Sequence, residues 1–335
     1  MSTEKHTGRA AAAVGTAAAA LLTSLAPAPA LAQEQERAAA KPTVVLVHGA
    51  FADASGWMET ASRLRHQGFE VRAVANPLRG LDYDTAYLEG MLKGVKGPKI
   101  LVGHSYGGAV ITNAAAEIPD VKALVYVAAF APDQGETLGG LLEQHPDPGV
   151  PPLPQQALQF ARPDGSTGTE VMLDPAKFAE AFAADVPAKT AALMAASQRP
   201  IAAEAFGQPA KQAAWKTIPS WALVAKKDHA IAPSLERFMA KRADAHITEV
   251  NSSHAVMVSH PHVVADVINR AKSVEPAALQ KAVANARTVA SRDSIGKGRL
   301  VLRSTMLSGA TSARVACLPS TPAVVYSLSS SSMRG

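Results

Sequence analysis

The sequence predicts an α/β fold: a mostly parallel central sheet with helices on both faces and a small helical lid inserted before the late strands. Three observations predict it. From Lys41 to Arg270, short apolar runs of strand length alternate with stretches of helical spacing, the pattern of parallel strands joined by covering helices. Between Ala131 and Pro219 that rhythm breaks into a Pro-, Gly- and Asp-rich stretch followed by helical spacing. Third, an apolar strand runs straight into Gly103-His104-Ser105-Tyr106-Gly107-Gly108 and then a helix, which sets a serine on a sharp strand-to-helix turn.

Thr43–Val47 is a continuous apolar, β-branched run closed by His48-Gly49. Ser55–Gln67 has helical spacing, with Trp57, Ala61 and Leu64 on one face and Gly68 where a helix commonly ends. Phe69–Ala75 is a second strand, and Asp82–Gly94 a second helix with Tyr83, Tyr87 and Met91 along one stripe. Lys99–Val102 leads into the serine turn and a helix at Ala109–Glu117, and Val121–Val127 is the fourth strand. Residues 132–218 form the lid, with helices expected at Ala176–Ala184 and Ala188–Ser197 and a shorter piece to Phe206. Trp221–Ala225 and His246–Val250, separated by a helix at Leu235–Arg242, complete the sheet, so the core comprises residues 41–131 and 219–270.

The two ends read differently. Lys5, His6 and Arg9 precede an alanine-rich apolar run from Ala10 to Leu25, and Ala30-Leu31-Ala32 offers small residues for cleavage before Gln33. Residues 1–32 are therefore expected to be a signal peptide, and the mature protein to be secreted or periplasmic. Beyond Arg270, Glu275–Ala290 has helical character, but past Ser291 neither helical nor strand period holds, and Ser327 to Met333 is mostly serine. Residues 271–335 are expected to be a largely disordered extension.

Composition excludes several classes. A chain of 335 residues with 47% hydrophobic and 18% charged side chains is neither disordered as a whole nor fibrous. The net charge of +5 suggests a nucleic-acid partner until it is divided by region. Residues 33–270 carry 22 basic and 25 acidic side chains, whereas residues 271–335 carry nine basic and two acidic. The folded part is thus mildly acidic, which disfavours a nucleic-acid groove. Past the export signal no integral membrane segment is expected, and the single Cys317 cannot close an intramolecular disulfide.

The chemistry is expected at Ser105. A serine hydroxyl is a weak nucleophile and needs a base and an orienting acid. Of ten histidines, His254 lies just after the last strand, in Ser252-Ser253-His254-Ala255. His48 reads as a structural hydrogen-bonding residue, His104 as a packing residue, and His260 and His262 as capping or surface residues. Their spacing with His254 matches no common zinc site, so no metal is expected. Asp228, at the end of the strand Trp221–Ala225, is the favoured acid, and Asp133 after the fourth strand is its rival.

These motifs resemble the α/β-hydrolase superfamily over roughly residues 41–270, in the branch of small-molecule esterases and hydroxynitrile lyases. Ser105, Asp228 and His254 keep that superfamily's order of serine, acid and histidine. The resemblance implies an oxyanion hole from the backbone N–H groups of Ala50, in the loop His48-Gly49-Ala50-Phe51, and of Tyr106. It implies a small-molecule ester as substrate, an acyl-enzyme intermediate, and no metal or organic cofactor. Where the lyases carry a threonine this chain has Gly49, and where they carry a lysine it has Ala255, which points to ester hydrolysis. The alternatives are a ligand-binding or regulatory member that turns over slowly, a lyase, or a cofactor-free perhydrolase. Phe51, Tyr106, Phe178, Met194 and Trp215 are the candidate pocket walls.

Overall fold

Alternate residues along each central strand divide between two sides of the sheet. Along β1 (Thr43–Val47), Val44 and Leu46 join one buried apolar cluster, and Val45 and Val47 join another. That period of two, apolar on both sides, is what a strand covered on both faces requires. The computed structural model describes residues 41–272 and three further strands at 300–307, 310–317 and 325–327. The expected signal peptide lies outside the described residues, as does the expected helix at Glu275–Ala290.

After β1 come α1 (Met58–His66), β2 (Val71–Val74), α2 (Leu81–Lys93), β3 (Lys99–Ser105), α3 (Tyr106–Ala114) and β4 (Val121–Ala129). The insertion holds α4 (Leu138–Gln144), β5 (Gln155–Ala161), β6 (Thr167–Leu173), α5 (Phe178–Phe182), α6 (Ala188–Ser197) and β7 (Ile201–Ala202). The core resumes with β8 (Ser220–Ala225), α7 (Pro233–Arg242), β9 (His246–Val250), α8 (Val256–Ser259) and α9 (Pro261–Ala271). The six-stranded sheet has the order β2-β1-β3-β4-β8-β9, and every neighbouring pair is parallel. One side packs Leu64 of α1 and Val264 and Ile268 of α9; the other packs α2, α3 and α7. Among the described residues no helix is long and apolar enough to cross a membrane.

The expected elements are present, with shifted ends. The helix after Ser105 begins at Tyr106 rather than Ala109, because Gly107 serves packing and does not break the helix. A Cβ on Gly107 would lie 2.5 Å from the carbonyl oxygen of Val47, so only glycine lets the helix lie this close to β1. In α2 the buried stripe is Leu81, Asp84, Leu88 and Leu92, while Tyr83 and Tyr87 are exposed.

The lid corrects the helical expectation, since it is mixed. β5, β6 and β7 form a three-stranded antiparallel sheet beside the helices. Six of the seven residues of β5 are exposed, so that strand carries no apolar alternation for periodicity to register. Its turn is built from turn residues: in Pro163-Asp164-Gly165-Ser166, Gly165 takes φ +82° and the Ser166 N–H donates to Asp164 Oδ1 at 3.0 Å. The C-terminal extension also departs from expectation where it is described: β10 (Leu300–Leu307), β11 (Ala310–Cys317) and β12 (Val325–Ser327) pair antiparallel. Leu300-Val301-Leu302 and Val315-Ala316-Cys317 are apolar runs too short to stand out in a polar context.

Candidate active site

In a parallel sheet the carboxyl ends of all strands lie along one edge, so loops from distant parts of the chain meet there. β3 delivers Ser105 to that edge, β8 delivers Asp228, and β9 delivers His254. The loops after β8 and β9 are stitched together by Lys226 N–H to the Val250 carbonyl at 2.9 Å and Lys227 N–H to the Ser252 carbonyl at 3.0 Å.

Ser105 adopts φ +54° and ψ −125°, a conformation that side-chain-bearing residues rarely take. The sharp turn is held by its surroundings. Phe130 N–H donates to the Ser105 carbonyl at 3.1 Å, and a Cβ on Gly49 would lie 2.6 Å from that of Ser105. Phe51, in the neighbouring loop, also has a positive φ of +59°. Strain concentrated at two residues facing one cavity is the mark of a site that the fold over-determines.

The His254 ring and Asp228 are paired and wholly buried: Nδ1 lies 2.5 Å from Asp228 Oδ2. Asp228 Oδ1 accepts the N–H groups of Ala230 and Ile231 at 2.6 and 2.9 Å, which fixes the carboxylate before the imidazole is considered. The ring is clamped edge-on by Phe182, 4.7 Å between centroids. Its other nitrogen, Nε2, is buried and has no hydrogen-bond partner among the described residues. Ser105 and His254 line the same cavity of about 320 Å³, together with Ala50, Phe51 and Tyr106. The structure therefore brings together all five residues expected to do the chemistry.

The other histidines have separate tasks. His48 Nε2 accepts the Asn76 N–H at 3.0 Å while Nδ1 donates to the Gly49 carbonyl at 2.9 Å, a pattern only the neutral ring can make. Burial pushes its pKa down to about 4. His104 is fully buried, and its Nε2–H donates to the His254 carbonyl at 3.0 Å. Burial, and then the neighbouring His254, lower its pKa well below the ordinary imidazole range. It packs, as expected, and also steadies the backbone of His254. His260 occupies the first cap position of α9 without a side-chain cap bond; it bonds Ser259 Oγ at 2.9 Å and faces Asp185 at 3.5 Å. His262 is exposed.

Asp133 is engaged elsewhere, paired with Lys216 and accepting the Gln134 N–H at 2.6 Å. Of the expected pocket walls, Phe51 and Tyr106 line the cavity. Phe178 is buried behind Phe182 at 5.0 Å, Met194 packs against the core, and Trp215 donates to the Pro132 carbonyl at 2.8 Å beneath Lys216 and Arg242. All three are large side chains that the lid folds into packing away from the opening. The walls are instead Phe182, Leu142, Leu153, Val171 and Phe206 from the lid and Phe130 from the end of β4. Sequence reasoning also missed Asp84, which accepts the Tyr106 O–H at 2.7 Å and the Arg79 N–H at 3.0 Å. Its spacing with Leu81, Leu88 and Leu92 was the available sign.

Comparison with known proteins places this geometry in context. The family model described as "Alpha/beta hydrolase family" matches residues 44–267. An alpha/beta hydrolase of Aspergillus novofumigatus is 29% identical over 254 residues, covering 69% of this chain and 96% of that protein. A carbendazim hydrolyzing esterase of a Nocardioides species is 38% identical over 119 residues, covering 32% of this chain and 49% of the relative. Among solved structures, polyneuridine aldehyde esterase superposes with a TM-score of 0.59 at 20% identity, covering 68% of this chain and 97% of that one. A pyrethroid hydrolase from Sphingobium faniae gives 0.55 at 22% identity, with 69% and 98% covered.

Proposed function

The chain belongs to the alpha/beta hydrolase family, and from that premise we propose that it cleaves carboxylic esters through Ser105, His254 and Asp228. The observation that carries this reading is the buried His254 ring, tied to Asp228 at Nδ1, with Nε2 unpartnered on the cavity that also holds Ser105. Apo triads commonly hold the serine and imidazole apart until substrate tightens the site.

In the proposed reaction, Nε2 takes the Ser105 proton as Oγ attacks the ester carbonyl carbon. The carbonyl oxygen becomes an anion and is met by the N–H groups of Ala50 and Tyr106. Tyr106 opens α3, so its N–H has no partner within the helix and points where the helix dipole favours negative charge. Losing one such donor typically costs about 3 kcal/mol of transition-state stabilisation. His254 then returns the proton to the leaving alcohol oxygen as the C–O bond breaks. Water, deprotonated by the same nitrogen, cleaves the acyl-Ser105 ester and restores the enzyme.

The walls supplied by Phe182, Leu142, Val171 and Phe206 favour a small, apolar acyl or alcohol group, with the Gln155 side chain as a polar exception. The similarity to a carbendazim hydrolyzing esterase supports a small-molecule ester. The test is Ser105→Ala assayed with p-nitrophenyl acetate. Turnover should fall by at least about 10³-fold with the circular dichroism spectrum unchanged; retained turnover would remove Ser105 from its role. Export belongs to the same proposal, and the first residue of the secreted protein should then be Gln33 by N-terminal sequencing.

A further inference from the structure

Glu236 is a buried carboxyl, 3% exposed, to which the reaction above gives no task. Its buried neighbours on α7 are Leu235, Met239 and Ala240, so the helix turns one acid inward where its spacing calls for hydrocarbon. Among the described residues, Oε2 accepts only a long bond of 3.3 Å from the Ala225 N–H, and Oε1 meets no donor. The same Ala225 ties the side chain to the acid of the proposed triad, since the Ala225 carbonyl accepts the Asp228 N–H at 3.2 Å while the Ala225 N–H faces Glu236. Two carboxylates cannot hydrogen bond to each other, but an acid can donate its O–H to a carboxylate. Asp228 is already committed as an acceptor, Oδ1 to two backbone N–H groups and Oδ2 to the imidazole. The proton of the pair therefore belongs on Glu236.

We propose that Glu236 is a positioning residue, a neutral acid that donates its O–H to Asp228 and so holds that carboxylate, and through it the His254 ring, in place. This rests on the triad reading above. The surroundings agree. Burial, and then the charge of Asp228, raise the Glu236 carboxyl well above the ordinary range. Arg237, the nearest cation on the same helix, is drawn outward into a two-point pair with Glu249 at 2.8 and 2.9 Å. From β4, Tyr126 lines the same small internal cavity as Glu236, but its hydroxyl is turned to Thr112 Oγ1 at 2.9 Å.

A donor on Asp228 disperses its charge. Without it the carboxylate would grip a protonated imidazole more tightly, and His254 would load its proton at higher pH. The experiment is the pH profile of kcat/KM for the full chain, Glu236→Leu and Glu236→Gln. Glu236→Leu should move the midpoint of the acid limb upward by about half a unit or more and lower kcat about tenfold at unchanged KM. Glu236→Gln, whose amide N–H replaces the donor, should restore the midpoint. A Leu variant with the original midpoint, or a Gln variant shifted as far as Leu, overturns the proposal. Should the Leu variant fail to fold, infrared difference spectra between the natural protein and Glu236→Gln decide it. At neutral pH the natural protein should show the carbonyl band of a protonated carboxylic acid, and carboxylate bands alone would overturn the assignment. Full activity in Ser105→Ala would instead sink the triad reading, while the infrared result would still report on Glu236.

Discussion

The carboxylate beside His254 is fixed by hydrogen bonds that involve no imidazole. Asp228 is fixed by the Ala230 and Ile231 N–H groups, both on Oδ1, while only Oδ2 faces His254. Asp228→Asn keeps an oxygen for the two N–H groups and changes only the atom that faces Nδ1. The variant should therefore fold normally and lose about 10⁴-fold in kcat, because the ring is left in the wrong tautomer. Asp133→Asn, which weakens a partly exposed pair with Lys216, should leave kcat nearly intact; steady-state kinetics of the two variants would expose the opposite ranking. That Ser105, Asp228 and His254 meet at one edge was legible in the sequence, because each lies at or just after the end of a strand. Asp84 and Glu236 were not, since a lone acid among apolar residues looks like a solvated turn or an exposed face until packing is known. Phe178, Met194 and Trp215 show the same limit, because large side chains fill a core and a pocket with equal ease.

At the level of elements, the lid walls the cavity that holds Ser105 and His254. Gln198 reaches back to clasp both the N–H and the carbonyl of Leu173, at 2.9 and 3.0 Å, and so ties the end of α6 to β6. Ala255 N–H donates to the Phe182 carbonyl at 3.0 Å, and Ser253 Oγ donates to Asp185, so the same lid braces the loop that carries His254. Of the lid helices, α5 and α6 were readable from their spacing; α4, in a Pro- and Gly-rich stretch, was not, and neither was the β5–β6 hairpin, because a strand exposed on both faces has no alternation to read. With the lid walls Leu142, Val171 and Phe206 on the cavity, Leu142→Trp should fill part of it. The longest acyl chain turned over in a graded p-nitrophenyl ester series should shorten, while kcat for the acetate ester stays within about threefold. An unchanged chain-length profile would move the acyl group to another part of the cavity.

Across the whole molecule, the parallel sheet does two jobs at once. Its two apolar faces bury α1 and α9 on one side and α2, α3 and α7 on the other, and its carboxyl edge gathers the site. His48 couples these jobs: it ends β1, and its neutral ring bonds both the Asn76 N–H and the Gly49 carbonyl of the loop beside Ser105. Because folding lowers its pKa from 6.5 to about 4, the unfolded chain takes up the proton first. The contribution of this group is complete above about pH 6.5 and is lost as pH falls toward about 4, on the order of 3 kcal/mol in all. Nuclear magnetic resonance titration should find the His48 ring neutral down to about pH 4, and protonation near 6.5 would contradict the buried bonding pattern. The sheet itself, with Thr43–Val47 and His246–Val250 placed to the residue, was the most legible feature of the sequence.

The most direct test is rapid-quench mass spectrometry of the protein mixed with p-nitrophenyl acetate. One acetyl group should accumulate on the peptide containing Ser105 in step with a burst of p-nitrophenol, and both should vanish in Ser105→Ala. An acetyl group carried by any other residue, or a burst that survives in Ser105→Ala, would contradict the account.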